Sequence, residues 1–377
     1  MNHRNAIVFC LWLLVLPARA AEAAPAAAVF DSPGVSHLRV QLRPEAMGQL
    51  KARPRDYVRA TISEGSNAWT AVAVRVKGRT GSFRDIDDKP SLTLDFDRLA
   101  PGQRFLGLTK IHLNNSVEDP SSLHEWIGAR LFRDAGIPAP RVAHAIVELN
   151  GRRLGLYVLK EGFTRGFLGQ HFARADGNLY EPEPGPGADV SGPMRRTVGS
   201  GVGDGSDLRR LAETARLPGL EDRWQSLGSV LDTNRFLTFL AMEILVGHRD
   251  GYALARNNYR LYHEPASDRF IFFPGGMDNL FGRVKTSLQP RMTGTVAAAL
   301  VETPAGRAAY RDRVRTMFSR TFQVEAITGA VRQRAQELGR ELPRAERRAL
   351  VREAEDLAAR IELRARTVGE QIGEWSR

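Results

Sequence analysis

Thiol chemistry is almost missing from this chain, whose 377 residues include a single cysteine, Cys10. Cys10 lies inside the apolar run of residues 6–16, so neither a disulfide framework nor a redox-active pair is available. Long apolar stretches are missing too: that run is about a dozen residues against the ~20 that span a bilayer, and no later segment approaches that length. Its setting, with His3 and Arg4 before it and Ala18-Arg19-Ala20 and Ala21-Glu22-Ala23 after it, is that of a cleaved secretory signal over residues 1–23. The expectation is an exported protein, secreted or periplasmic, that does not span the membrane and is held together by burial alone. A chain of this length has a substantial core available, usually divided between lobes or domains.

Other absences narrow the chemistry. No His/Cys cluster has zinc-ligand spacing, no serine sits in a nucleophile elbow, and no RNA- or DNA-binding motif is present. The glycines between residues 181 and 207 do not follow GxGxxG and lack a following Lys-Ser/Thr, so that segment reads as a surface loop. Charge is not scarce: 54 Lys and Arg against 43 Asp and Glu leave a formal +11. Such an excess means either a solvated, Arg-rich surface or an anionic partner, whether a phosphorylated ligand, an acidic protein or an anionic envelope surface.

Organisation changes near residues 120 and 180. After an Ala/Pro linker over residues 24–36, residues 37–42, 56–62 and 70–76 alternate like strands, and residues 91–96 and 110–113 continue the β series. The spacing of Leu123, Ile127, Leu131 and Phe132 predicts a helix over 121–134, closed by Ile137-Pro138-Ala139-Pro140. Strands at 142–149 and 153–159 are joined at Asn150-Gly151, a strong hairpin signal. Residues 231–246 form an apolar helix that delivers His248 to Asp250 at its end. Strands at 259–262 and 269–273 follow, and residues 305–377 read as charged helices, a solvated tail by default.

The informative run is Gly247-His248-Arg249-Asp250-Gly251-Tyr252, then Arg256-Asn257-Asn258-Tyr259, then Phe273-Pro274-Gly275-Gly276-Met277-Asp278-Asn279-Leu280-Phe281-Gly282. It places an acid, an amide and a second acid in order, and the intervening hairpin brings Asn258 and Asp278 back toward Asp250. Those groups are what phosphoryl transfer requires to orient a hydroxyl and hold Mg²⁺ on phosphates.

Several further segments occur in the order seen in one family. Arg75-Val76-Lys77-Gly78 with Lys89-Pro90, Asp119-Pro120-Ser121-Ser122-Leu123-His124-Glu125, Gly136-Ile137-Pro138-Ala139-Pro140, Asn150-Gly151 with Gly155-Leu156-Tyr157 and Glu161, and Gly177-Asn178-Leu179-Tyr180 stand in sequence. From about Arg75 to Gly282 the chain resembles the CotH kinase family of spore coat and secreted proteins. The resemblance implies an α+β, atypical protein-kinase-like fold of two lobes. A β-rich N-terminal lobe with one helix (37–163) would face a mainly helical C-terminal lobe (164–377) across the site. It also implies an ATP- and Mg²⁺- or Mn²⁺-dependent kinase acting on Ser/Thr of an exported protein. Lys89 would contact the α- and β-phosphates and pair with Glu125, with Lys77 the alternative lysine; Lys77 and Arg79 would add charge at the phosphates. Asp250 would accept or orient the acceptor hydroxyl, Asn258 or Asn257 would hold the metal, and Asp278 would be the second metal ligand.

Each residue also has a plainer role. Asp250 could cap or face solvent, Lys89 could be a solvated strand-start lysine, Glu125 could be a first-turn helix acid favoured by the dipole, and His248 reads as a core histidine bonded to backbone. The sequence departs from the family's pattern at Gly276, which stands where an acid usually precedes Asp278, and at Gly78-Arg79-Thr80-Gly81-Ser82, where the family has Gly-Asn-Ser-Ser. Gly276 favours a second reading, a catalytically weak kinase-like scaffold that binds an envelope protein or an anionic glycan.

Overall fold

Alternating apolar residues carry the first half of the chain into strands whose inward faces meet. The computed structural model describes residues 29–30, 34–79, 81–183, 188–199 and 204–375; the expected signal and most of the linker lie outside them. Seven strands, β1 (Ser36–Leu42), β2 (Val58–Glu64), β3 (Asn67–Lys77), β4 (Ser91–Asp95), β5 (Lys110–Asn114), β6 (Val142–Leu149) and β7 (Arg152–Glu161), follow the order β1-β2-β3-β4-β5-β7-β6. The parallel pairing of β1 with β6, from Ser36 opposite Ala145 to Val40 opposite Leu149, closes them into a barrel. Leu38, Val40, Val74, Val76, Leu92, Leu94, Ile111, Leu113, Val147 and Leu159 fill its interior. Asn150 at the β6–β7 turn accepts from Leu42 N at 2.8 Å and donates to Leu42 O at 3.0 Å, so the hairpin signal also fastens the end of β1.

Helix α1 (Pro44–Ala52) links β1 to β2, and α2 (His124–Asp134) lies between β5 and β6. Its start is later than the spacing predicts because Asp119 folds the preceding residues into a turn. The Asp119 carboxylate accepts from Ser121 N at 3.1 Å and from His124 N at 2.8 Å, while Ser122 N donates to Asp119 O at 2.9 Å and Leu123 N to Ser121 Oγ at 3.2 Å, so the donors of residues 121–124 are all taken by the turn. Ile127, Leu131 and Phe132 point away from the barrel, into a second hydrophobic core.

That second core is built by the rest of the chain. A four-stranded antiparallel sheet, β8 (Asn178–Pro182), β9 (Met194–Val198), β10 (Tyr259–Glu264) and β11 (Arg269–Pro274), has the order β11-β10-β8-β9. Around it pack α3 (Arg165–His171), α4 (Ser206–Thr214), α5 (Leu220–Val230), α6 (Thr233–Leu245), α7 (Tyr252–Ala255), α8 (Thr295–Glu302), α9 (Pro304–Arg320), α10 (Val324–Arg340) and α11 (Arg344–Glu374). The architecture is α+β, β-rich in its N-terminal part and mainly helical in its C-terminal part. No helix among the described residues is long and apolar enough to cross a membrane.

Two expectations are corrected. The segment 181–207 is not simply a surface loop: β9 within it pairs with β8, and Asp189 is buried, accepting from Thr295 N at 2.7 Å and from the Tyr252 hydroxyl at 3.2 Å. Met194-Arg195-Arg196-Thr197-Val198 is short and charged, as an edge strand is, and so gave no apolar signal. Nor are residues 305–377 a solvated tail. Leu350, Ala354, Leu357, Ile361, Ala365 and Val368 form a buried stripe along α11, with Val331, Ala335 and Leu338 of α10 also buried. Arg and Glu dominate the composition, but they crowd the outer face and leave a helical apolar stripe inside.

Candidate functional site

Helix α6 ends where the chain must turn sharply, and Gly247 turns it with a left-handed φ of 64°. His248 then buries its ring, and Nε2 donates to Gly276 O at 2.9 Å. The buried Glu243 accepts from Tyr252 N at 2.9 Å and Ala253 N at 2.8 Å, so this acid caps α7. Between these anchors Asp250 is half-buried. Arg256 and Asn258 adopt left-handed φ values of 55° and 48°, which bends residues 256–258 back over Asp250. Asn257 Nδ2 and Asn258 Nδ2 both donate to Asp250 Oδ2, at 3.0 and 2.7 Å, and Asn258 Nδ2 also reaches Asp250 O at 3.1 Å. Arg79, in the turn after β3, donates to Asn257 Oδ1 at 3.1 Å.

A second cluster comes from the barrel wall and α2. Glu125 is buried, and Lys160 of β7 donates to its Oε1 at 2.5 Å and to Gly275 O at 2.7 Å. Asn114 of β5 donates to Glu125 Oε2, and its Oδ1 accepts from Lys77 Nζ at 2.5 Å. Burial works against ionising Glu125, but Lys160 and Lys77 outweigh it and hold the carboxyl below its usual range. Burial, together with Lys160 and against the attraction of Glu125, brings Lys77 down to about 8.

The two clusters meet at the end of β11. Gly275 N donates to Asn258 O at 2.5 Å while Gly275 O takes the Lys160 ammonium. A side chain at Gly275 would place Cβ 2.7 Å from the Asn258 carbonyl carbon, so the close approach of these backbones requires glycine. At Gly276 the same atom would stand 2.9 Å from Asn258 Oδ1. Asp278 follows, its carbonyl accepting from His124 Nδ1 at 2.9 Å. Burial and the neighbouring acids Glu125 and Glu118 push the Asp278 carboxyl up to about 6.

Asp278 and Asn258 are the side chains here that could hold a divalent cation. Asp278 is a carboxylate crowded by other acids, and Asn258 keeps Oδ1 free of its bonds to Asp250; an oxygen-only donor set suits a hard ion such as Mg²⁺ or Mn²⁺. The described residues contain no group of three or more His, Cys, Asp and Glu side chains arranged for a metal. The remaining coordination would therefore belong to phosphate and water, as is usual for Mg²⁺.

The structure thus brings together Asp250, Asn257, Asn258 and Arg79 on one side and Lys77 and Glu125 on the other, with Asp278 beside Glu125. Lys89 stays outside, and its expected pairing with Glu125 is corrected. Its ammonium lies over the Tyr157 ring, 5.2 Å from the centroid, with Glu346, Arg153 and Asp88 as its charged neighbours. Lys89 precedes β4, whereas the residue that reaches Glu125 is Lys160, near the end of β7. Glu181 was also missed: it accepts from Arg260 at 2.6 Å and Arg195 at 2.5 Å, and these with Arg79 and Arg75 overcome its burial and hold it below the usual carboxylate range.

A half-buried acid oriented by two amides, a buried Lys–Glu pair and a crowded second acid are the equipment of a kinase-like protein. Comparison with known proteins agrees. The family described as CotH kinase protein matches residues 74–362, and the chain belongs to that family. Inner spore coat protein H of Bacillus subtilis (strain 168) is 23% identical over 192 residues, 48% of this chain and 52% of the relative, so the match spans about half of that protein's length. Among solved structures, the Helicobacter pylori proinflammatory kinase CtkA is 9% identical, covering 84% of this chain and 92% of that one at a TM-score of 0.31. A chain of the Shewanella oneidensis MR-1 HipA–HipB toxin–antitoxin complex with operator DNA is 12% identical, covering 96% and 82%, also at 0.31. Superpositions that loose carry no argument about this chain.

Proposed function

We propose that this chain is an exported, Mg²⁺- or Mn²⁺-dependent kinase that transfers the γ-phosphoryl group of ATP to a Ser or Thr hydroxyl of an envelope or secreted protein. The supporting observation is the pair of amide bonds to Asp250 Oδ2. They fix the carboxylate through Oδ2 and leave Oδ1 without a hydrogen bond among the described residues. That oxygen takes the acceptor proton as the hydroxyl oxygen bonds to phosphorus and the bond to ADP breaks. Glu125 holds Lys160 in place, and Lys77, whose ammonium bonds only to Asn114 among the described residues, is the cation able to swing to a phosphate. Its ammonium regains full charge once an anion sits beside it. Arg79 adds charge from the rim. Asp278 and Asn258 Oδ1 would hold the metal, which when bound neutralises phosphate charge and orients the phosphoryl group.

Calorimetric titration with ATP, with and without Mg²⁺ or Mn²⁺, tests this. Metal-dependent binding that is lost in Asp278→Asn and in Lys77→Ala but kept in Lys89→Ala supports the reading; no binding by the wild type overturns it. The specific feature that favours the second reading is Gly276, which supplies no acid beside Asn258. A chain that binds no nucleotide yet retains an envelope protein or anionic glycan in a salt-sensitive way is the scaffold instead.

A further inference from the structure

An open cleft of about 190 Å³ lies beside the candidate site, lined by Gly247, Arg249, Asn279, Gly282 and Arg283. Its walls are the two loops that carry Asp250 and Asp278. Phe281 N donates to Val246 O at 2.9 Å and His248 Nε2 to Gly276 O at 2.9 Å, so the loops are tied together and the cleft has fixed walls. The lining holds two cations and no acid. Arg249 and Arg283 are exposed, and neither guanidinium has a carboxylate partner among the described residues; the Asn279 amide is likewise unbonded there. Arg260 and Arg195, by contrast, are matched by Glu181. Two guanidiniums that line one cleft without a carboxylate partner among the described residues can both be engaged by a single anion placed there.

We propose that this cleft is an acceptor subsite for an anionic side chain, a carboxylate or a phosphate, lying about one to three residues from the Ser or Thr that reaches Asp250. The inference rests on the kinase reading above and names the substrate class of that site. Arg249 adjoins Asp250 in sequence, so an acceptor chain whose hydroxyl is at Asp250 passes the cleft within a few residues, at about 3.3 Å per extended residue. Planar guanidiniums bind carboxylate and phosphate through paired hydrogen bonds, and the Asn279 amide adds a neutral donor. A doubly charged phosphate gains more from the pair than a carboxylate does.

Fluorescence anisotropy on the full chain, without nucleotide, tests the subsite apart from catalysis. Three labelled peptides share a central Ser flanked by Gln, by Glu or by phosphoserine. The wild type is expected to bind the Glu or phosphoserine peptide at least about 10-fold more tightly than the Gln peptide at low salt, with the preferred peptide identifying the anion. Arg249→Gln with Arg283→Gln is expected to abolish that preference. Arg39→Gln with Arg59→Gln, which removes the same charge from exposed positions on the barrel strands, is expected to keep it. Equal binding of all three peptides by the wild type, no binding of any, or a preference that survives Arg249→Gln with Arg283→Gln overturns the proposal. Absence of ATP-dependent transfer alongside an intact preference sinks the kinase reading and leaves the anion subsite standing.

Discussion

Removing one guanidinium should loosen both loops that frame the candidate site. Arg364 of α11 is fully buried, and it donates to Leu245 O at 3.1 Å, Ile244 O at 2.7 Å, Val284 O at 2.9 Å and Thr286 O at 2.6 Å. The first two are carbonyls at the C-terminus of α6, at the negative end of its dipole; Ile244 O also accepts from Gly247 N at 3.2 Å, while Leu245 O has no other partner among the described residues. The other two follow Asp278 and Phe281. With no carboxylate beside it, burial lowers the Arg364 pKa to about 10, yet the group remains charged near neutrality. Arg364→Leu keeps much of the apolar volume but strands Leu245 O and Val284 O and leaves Ile244 O and Thr286 O with one partner each, Gly247 N and Gln371 Nε2. A buried acceptor left unsatisfied costs about 1–3 kcal/mol, so two stranded and two weakened carbonyls cost about 3–5 kcal/mol, a large fraction of the 5–15 kcal/mol typical of a folded protein. With an m-value of about 3 kcal/mol/M in urea, the midpoint should fall by roughly 1–1.7 M. Arg364→Lys, with fewer donors and no fork, should lose part of that. Chemical denaturation followed by tryptophan fluorescence and far-UV circular dichroism measures the loss. A fall below about 0.3 M for Arg364→Leu, equivalent to less than 1 kcal/mol at that m-value, would refute the claim that these bonds organise the loops.

Further outcomes follow from the same geometry. Asp250→Asn should abolish phosphoryl transfer while leaving ATP binding within about 2-fold, because the general base contributes typically 10²–10⁴ to rate and little to ground-state affinity; radiolabelled transfer and calorimetry separate the two. Glu125→Gln should leave the buried Lys160 with only the Gly275 carbonyl, lowering the melting temperature and weakening metal–ATP binding together, and Lys160→Met should mimic it. Asp278 sits near 6 when folded against an ordinary value of 3.8, so its neutral form is the one the apo fold favours. Its contribution is therefore present below pH 3.8 and is lost as pH rises through 6. Apo stability measured between pH 4 and 7 should carry a falling component that Asp278→Asn removes, while Mg²⁺ affinity should rise over the same interval as the carboxyl ionises. Gly275→Ala should cost about 1–3 kcal/mol in urea denaturation, since its Cβ cannot fit against the Asn258 backbone without moving it.

Much of the architecture was legible in local patterns. Strand alternation located all seven barrel strands, because a period of two follows directly from which residues face the core. The order of Asp250, Asn257, Asn258 and Asp278 was visible for a similar reason: all belong to one helix–loop–hairpin unit whose parts are near each other in sequence. Family membership was carried by these same local motifs. Lys160 escaped because nothing in an apolar strand says whether its terminal lysine faces water or a buried acid 35 residues away. The family resemblance points to Lys89 instead, which precedes β4 and lies over the Tyr157 ring.

Sequence alone determined the strand and helix periods, the order of the acid, amide and acid along the chain, and the missing acid at position 276, since each is set by neighbours within a few residues. Only tertiary structure decided that β1 pairs with β6 to close the barrel, that Lys160 rather than Lys89 answers Glu125, that β9 and Asp189 belong to the core of the second half, and that the charged C-terminal helices bury an arginine beneath the site loops. Those outcomes depend on contacts between distant segments, and a side chain's partner across such a distance is chosen by the packing of the whole chain, which no local pattern encodes.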